Sequence, residues 1–241
     1  MSLSPLKITD VKVILTAPDG IRLVVVKVIT SEPGLYGLGC ATFTQRPLAV
    51  ASAIEDYLKP FVIGRDVDQI EDIFQAAYVS SYWRSGPVLN NALIGVDEAL
   101  WDIKGKRANM PVYQLLGGKC RDAVPVYVHA SGRDASEVEE RVSAFMEQGF
   151  RYIRCQVAIP GLSTYGSKGS MNRALNPKQR RTWEPTPYVH AVPKLFEHLR
   201  VKLGDDIELL HDVHERIPPI QGVWLAKALE PYRLFFLEDL F

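Results

Sequence analysis

Two acidic strand ends, separated by about one strand–helix repeat, are the residues of this sequence best suited to chemistry. The first lies in Ile207–Arg216, IELLHDVHER, where a short apolar strand runs into a polar tip. Asp212 and His214 lie two residues apart in that tip, so an extended backbone would place them on one face. The second strand, Leu234–Glu238, also ends in a carboxylate. A carboxylate pair with an imidazole beside it could hold a divalent cation and carry a proton.

The alternative interpretation of these carboxylates is structural. Asp212 would then cap the next helix, and Glu238 would be a solvated strand end. Because the carboxyl ends of parallel strands face one active-site mouth, the two carboxylates together favour a metal site. His211 adjoins Asp212 but is expected to point to the opposite face, and we leave it out of the site.

Composition narrows the class of protein. The 241 residues include 28 basic and 28 acidic side chains, so the net charge is zero. This balance argues against nucleic acid or a membrane surface as a partner. The sequence has neither a membrane-spanning apolar run nor a signal peptide. The three cysteines are scattered and form no CxxC pair, which argues against a disulfide framework or structural zinc. We expect a cytoplasmic enzyme.

Residues 1–120 are predicted to form an α+β domain, because strand patterns come first and helical patterns follow. The strands are predicted at 7–15, 21–30 and 35–42, and the helices at about 47–59, 67–80 and 87–107. The third helix has the clearest apolar stripe, formed by Val88, Ala92, Val96, Ala99, Leu100 and Ile103.

Residues 121–241 show a different pattern, in which strands and helices alternate. This predicts parallel strands, at 124–129, 150–157, 207–210 and 234–238, covered by helices at 136–148, 187–203 and 217–229. A polar, Gly- and Ser-rich segment at about 160–187 interrupts the alternation as a lid-like insertion. Four strands leave a parallel barrel open, so the chain is either a small open α/β sheet or the front part of a longer protein.

Four motifs resemble one protein superfamily. Ala92–Gly118, ALIGVDEALWDIKGKRANMPVYQLLGG, resembles the signature of mandelate racemase and muconate lactonising enzyme. IRCQVAIPGLSTYG (Ile153–Gly166), LLHDVHER and FFLEDLF resemble the D-mannonate dehydratase group of the enolase superfamily, which includes proteins labelled as starvation-sensing. The resemblance covers essentially the whole chain. It implies an N-terminal α+β capping domain followed by a modified TIM (β/α) barrel, of which about the first half is present.

The resemblance also implies a metal site and an acid. Asp212 and Glu238 would be the first two Mg²⁺ ligands, with the third carboxylate beyond Phe241. Carboxylate oxygens suit Mg²⁺, which would stabilise the enediolate intermediate. His214 would protonate the departing 3-hydroxyl of the substrate.

Three further roles come from the same resemblance. Tyr165 would remove the proton α to the substrate carboxylate, with Arg154 beside it to favour tyrosinate, since an ordinary tyrosine pKa is about 10. His129, expected at the end of the first barrel strand, would contact the substrate. By residue type alone, Tyr165 is a surface tyrosine, Arg154 a structural ion-pair partner, and His129 either a core histidine or a ligand.

One motif departs from the expected pattern. The capping-domain loop reads ATFT at Ala41–Thr44 instead of ATLN, so the substrate-binding position is Thr44, which is shorter than Asn and lacks its amide donor. The implied function is Mg²⁺-dependent dehydration of D-mannonate, or a related aldonate such as D-gluconate, to 2-keto-3-deoxy-gluconate by a homo-oligomer. The alternative is an enolase-type scaffold with little or no activity that acts as a regulatory or binding protein.

Overall fold

A computed structural model describes residues 5–159 and 183–241 of the chain. It contains two compact units, Met1–Asp122 and Ala123–Phe241, and each is described by itself. The boundary lies close to the predicted one at 120/121. No helix in the described ranges is both long enough and apolar enough to cross a membrane.

The first unit begins with an antiparallel sheet of order β1-β2-β3. Its strands are β1 (Ile8–Thr16), β2 (Leu23–Thr30) and β3 (Tyr36–Cys40). Every second residue of β2 is buried, which is the period expected of a strand with one face on a core. The turn between β1 and β2 is a short 3₁₀ segment, Pro18–Gly20.

Helices follow the sheet and bury its inner face. They are α1 (Pro47–Ser52), which continues through a π-helical turn (Ala53–Leu58) into α2 (Lys59–Val62), then α3 (Ile70–Val79), α4 (Pro87–Ala108) and α5 (Val112–Leu115). The predicted stripe of α4 is buried from Ala92 to Ile103, with Val88 packed at its margin.

Helix α4 also covers the free edge of the sheet. The carboxylates of Glu98 and Asp102 accept hydrogen bonds from the backbone N–H groups of Cys40 (2.7 Å) and Leu38 (2.8 Å). This close approach requires glycine in β3, since a Cβ at Gly39 would lie 2.0 Å from the carbonyl oxygen of Gly95. Spacing of four residues places both carboxylates on one helix face, so the helix satisfies donors that an edge strand would otherwise expose.

The second unit is a parallel sheet of order β4-β5-β6-β7. The elements are β4 (Tyr127–Gly132), α6 (Ala135–Glu147), β5 (Tyr152–Val157), α7 (Pro185–Leu203), β6 (Glu208–Asp212), α8 (Pro219–Leu229), a 3₁₀ turn (Glu230–Tyr232) and β7 (Phe236–Glu238). The prediction of parallel strands alternating with helices is confirmed. The lid-like insertion predicted at 160–187 lies mostly outside the described residues, and α7 begins within it at Pro185.

The predicted position of β4 is wrong by three residues. The strand was expected at 124–129, but it begins at Tyr127 and ends at Gly132. Val124 and Val126 match a strand pattern, yet both residues lie before the sheet begins and are 68% and 63% exposed. Pairing with β5 rather than local alternation therefore sets the start of this strand.

The two faces of the parallel sheet differ in character. One face is apolar and packs against α6, α7 and α8 through a core that includes Ile153, Cys155, Leu209 and Phe196. Since neighbouring residues in a parallel register point to the same face, His129, Arg154 and Leu210 form one row on the opposite face. The next row on that face contains Asp212 and Glu238, the predicted metal ligands.

Candidate metal and acid–base site

The register of β6 and β7 brings the two predicted carboxylates together. Asp212 pairs directly with Glu238, each as the last residue of its strand. The Asp212 side chain is only 4% exposed, whereas that of Glu238 is 41% exposed. Two carboxylates in register at strand ends concentrate negative charge, so this position requires a positive partner.

The guanidinium of Arg154, on β5, supplies such a partner. Its Nη1 lies 2.5 Å from Asp212 Oδ2 and 3.6 Å from Glu238 Oε2. Its Nη2 is 3.4 Å from His129 Nδ1, and the guanidinium carbon lies 5.8 Å from the centre of the Tyr127 ring. Arg154 is thus a buried cation that touches both predicted metal ligands.

His214 also contacts Asp212, from a tight loop after β6. The His214 backbone N–H donates to Asp212 Oδ1 (2.9 Å), and its ring Nε2 lies 2.9 Å from Asp212 Oδ2. Burial acts to raise the pKa of the Asp212 carboxyl, but the His214 hydrogen bond and the charges of His214 and Arg154 outweigh it and lower that pKa. Asp212 is therefore held as a carboxylate, and His214 is held beside it.

His129 lies one row below its predicted position at the strand end. It was expected at the end of the first barrel strand, but the later start of β4 makes it the third residue of that strand, in the row of Arg154. Burial, followed by the nearby charge of Arg154, lowers the pKa of His129. The imidazole is consequently held neutral beside the guanidinium.

His211 faces the helices, as the alternation of a strand predicts. Its Nδ1 donates to the Cys155 carbonyl (2.8 Å), so its Nε2 is free of hydrogen and accepts from the Tyr188 hydroxyl (2.7 Å). Complete burial lowers the pKa of His211 to about 4. His211 is therefore a neutral, structural residue on the helix-facing side of the strand that carries Asp212.

Two polar residues near the site gave no clear signal in the sequence. Gln156 is the fifth residue of β5, and its side-chain amide donates to the Asp212 carbonyl oxygen at 3.1 Å. Ser131 pairs with Gln156 across the sheet and is buried. Both residues are polar and lie near the end of a parallel strand. That position would have indicated them from the sequence if the bounds of β4 had been predicted correctly.

The remaining predicted residues cannot be placed against this cluster. Tyr165 lies outside the described residues. Thr44 belongs to the first unit, where its hydroxyl bonds to the Gln45 side chain at 2.9 Å. Within 5–159 and 183–241, no three His, Cys, Asp or Glu side chains are grouped to hold a metal ion, so Asp212 and Glu238 remain a pair.

Known proteins identify the family. Residues 4–117 match the mandelate racemase / muconate lactonizing enzyme N-terminal domain. D-galactonate dehydratase family members from Musicola paradisiaca and Salmonella enteritidis are 56% and 54% identical to this chain over 98% and 99% of its length. The chain belongs to the D-galactonate dehydratase family of the enolase superfamily. The predicted superfamily is confirmed, while these relatives do not bear the narrower name of D-mannonate dehydratase.

Solved structures agree with this family and with the fold. A crystal structure of an enolase from Pantoea ananatis, with bound D-gluconate and Mg, is 55% identical over 98% of this chain and has a TM-score of 0.83. The 3,6-anhydro-D-galactonate cycloisomerase from Zobellia galactanivorans is 26% identical over 95% of this chain, with a TM-score of 0.71. The present chain spans 60% of the length of the Musicola, Salmonella and Pantoea proteins.

Proposed function

We propose that this chain carries part of the active site of a Mg²⁺-dependent acid-sugar dehydratase. The observation that supports this most directly is the direct pairing of Asp212 with Glu238 at the ends of β6 and β7. His214 stands beside the same carboxylate, so a metal ligand and a proton carrier meet at one strand end. The D-gluconate and Mg in the Pantoea ananatis relative support the same reaction class.

The donor set fits Mg²⁺. This ion prefers carboxylate oxygens and is commonly held by one or two carboxylates, its remaining positions being filled by water and substrate. Asp212 and Glu238 provide two carboxylates in register, and Arg154 already lies against both, which indicates that the position favours positive charge. When bound, Mg²⁺ would stabilise negative charge that develops on the substrate carboxylate.

His214 is suited to the role of general acid. It is fixed by two contacts to Asp212, through its backbone N–H and through its ring. In the proposed reaction the α-carbon first loses its proton; the C3–O bond then breaks while His214 gives a proton to the departing hydroxyl, which leaves as water. The resulting enol becomes the 2-keto acid without any oxidant or reductant.

Tyr165 is the proposed base that removes the α-proton, and Arg154 is proposed to favour its tyrosinate form. The buried guanidinium of Arg154 at the carboxylate row supports this second role, because a fixed positive charge lowers the pKa of a neighbouring phenol. In this scheme the base and the acid come from different chain segments, so they can act on different sides of a bound aldonate.

The proposed substrates are D-mannonate and D-gluconate. These acids differ only in configuration at C2, and dehydration destroys that centre, so both give 2-keto-3-deoxy-D-gluconate. A single fixed base removes the proton from one side of C2, and we therefore expect one epimer to react much faster than the other. D-galactonate would give a product that differs at C4, which separates it from both by proton NMR.

The metal assignment is tested by Asp212→Asn. Calorimetric titration of the full-length protein with Mg²⁺ should show affinity lowered by at least tenfold, since one carboxylate charge is lost from a two-carboxylate pair. The matched control is Asp205→Asn, which removes an exposed carboxylate paired with Arg233. Unchanged Mg²⁺ affinity in Asp212→Asn would refute the assignment.

The reaction is tested by following full-length protein with Mg²⁺ and each aldonate by proton NMR in D₂O. Tyr165→Phe should stop exchange of the α-proton, whereas His214→Asn should stop dehydration and leave that exchange intact. Each loss should be roughly 10²–10⁴-fold. Aldonate binding without turnover by the unmutated protein would instead favour the alternative of a regulatory or binding protein.

A further inference from the structure

The loop that carries His214 has a conformation that needs external support. His214 and Glu215 are consecutive residues with left-handed backbone angles, φ 56° and 53°. A non-glycine residue in this region of backbone angles is strained, and it persists only where surrounding contacts impose it. The position of His214 therefore depends on whatever holds residues 213–216.

One end of this loop is held by the neighbouring strand end. The backbone N–H of Val213 donates to the Glu238 carbonyl at 3.0 Å, and that of Glu215 donates to the Asp239 carbonyl at 2.8 Å. These bonds fix the loop against β7. They do not reach its last residue, Arg216.

The other end of the loop is held by a tryptophan. The indole Nε1–H of Trp183, two residues before α7, donates to the Arg216 carbonyl at 2.8 Å. The indole ring meets the ring of Tyr188 edge-on, with 5.5 Å between their centres. Tyr188 in turn bonds to the buried His211, the residue immediately before Asp212. Trp183 is thus linked both to the loop and to the strand that carries the metal ligand.

We propose that Trp183 is a positioning residue for His214. Its indole N–H holds the Arg216 carbonyl, fixes the C-terminal end of the left-handed loop, and keeps the His214 ring against Asp212. This role rests on the proposed function only where it calls His214 the general acid. The placement of the His214 ring can be measured by NMR spectroscopy, independently of any dehydratase activity.

Trp183→Phe removes the N–H donor and retains an aromatic ring against Tyr188. The matched control is Trp224→Phe, which removes an indole from an exposed position on α8. In ¹⁵N-histidine-labelled protein, with the His214 resonances assigned through His214→Asn, Trp183→Phe should move the ring resonances of His214 and leave those of exposed His190 in place. Unmoved His214 resonances would overturn the proposal even if the protein proves to have no dehydratase activity.

If the protein is active, Trp183→Phe also distinguishes misplacement of His214 from a general loss of structure. Misplacing the acid should lower dehydration by about 10- to 100-fold, while exchange of the substrate α-proton and Mg²⁺ affinity stay within about twofold, since neither needs the acid. Trp224→Phe should retain both rates. Equal loss of dehydration and exchange, or loss of neither, would overturn the proposal.

A measurement on unmutated protein covers the case in which Trp183→Phe fails to fold. In ¹⁵N-tryptophan-labelled protein, the Trp183 indole N–H should exchange with solvent at least tenfold more slowly than that of Trp83, whose side chain is 83% exposed. Replacing Trp83, Trp101 and Trp224 one at a time assigns the signals. Exchange of the Trp183 indole as fast as that of Trp83 would show that the bond to Arg216 does not hold the loop.

Discussion

His211 should make the second unit sensitive to mild acid, and His211→Gln should remove that sensitivity. The buried imidazole is neutral, donates to the Cys155 carbonyl and accepts from the Tyr188 hydroxyl. Protonation would place a hydrogen on Nε2, the second on the ring, opposite a hydroxyl that already donates, and would bury a charge. A glutamine amide can donate and accept in the same directions without titrating in this range.

The magnitude follows from the lowered pKa of His211, about 4 in the folded protein against an ordinary value of 6.5. Between these two values the unfolded chain binds a proton that the folded chain does not. The contribution of His211 to the free energy of unfolding is therefore complete above pH 6.5 and falls by about 1.4 kcal/mol per pH unit as the pH drops toward 4. The loss approaches about 3 kcal/mol, a large part of the stability of a small domain.

Urea unfolding between pH 7 and pH 4.5 measures this effect. A Trp83→Phe/Trp101→Phe background removes the tryptophans of the first unit, so that the fluorescence of Trp183 and Trp224 reports on the second. The stability difference between His211→Gln and the background should shift by about 2 kcal/mol in favour of the variant over this pH range. His190→Gln, which changes an exposed histidine of α7, is the control and should leave the pH slope unchanged. A His211→Gln protein that loses stability with acid as steeply as the background would refute the reasoning.

Other predictions concern the packing of each unit. Gly39→Ala should lower the free energy of unfolding of the first unit by at least about 1–3 kcal/mol in urea titrations, because the new Cβ would meet the Gly95 carbonyl at 2.0 Å; an unchanged unfolding midpoint would contradict this close packing. Glu98→Ala should destabilise the same unit by about 1 kcal/mol, since the Cys40 N–H loses its acceptor, whereas Glu98→Gln should retain most of the stability. A thiol reagent should modify Cys40 and Cys120 rapidly in native protein and Cys155 only after unfolding, because burial raises the pKa of the Cys155 thiol and blocks access; fast labelling of all three would refute the described core.

The carboxylate pair was accessible to sequence reasoning because each residue closes a short apolar run. A parallel sheet places such ends side by side, so the repeat of strands and helices predicts that Asp212 and Glu238 are neighbours; the structure adds that they are in register. The loop after Asp212 was not accessible in the same way. Left-handed backbone is normally signalled by Gly or Asn, and neither His214 nor Glu215 carries that signal. Contacts from β7 and Trp183, which are distant in sequence, support that conformation.

The error in β4 shows how a small shift changes the site. A strand from 124 to 129 would have placed His129 at the mouth of the sheet, beside the metal ligands. Pairing with β5 instead places His129 opposite Arg154, one row below, and brings Ser131 beside Gln156 near the strand ends. The later bounds of β4 leave His129 on the face of Arg154 and Asp212 but place it one row below Asp212. His129 is therefore better placed to hold the Arg154 guanidinium, 3.4 Å away, than to meet a substrate at the strand ends, and Ser131 and Gln156 are the polar residues of β4 and β5 nearest that position.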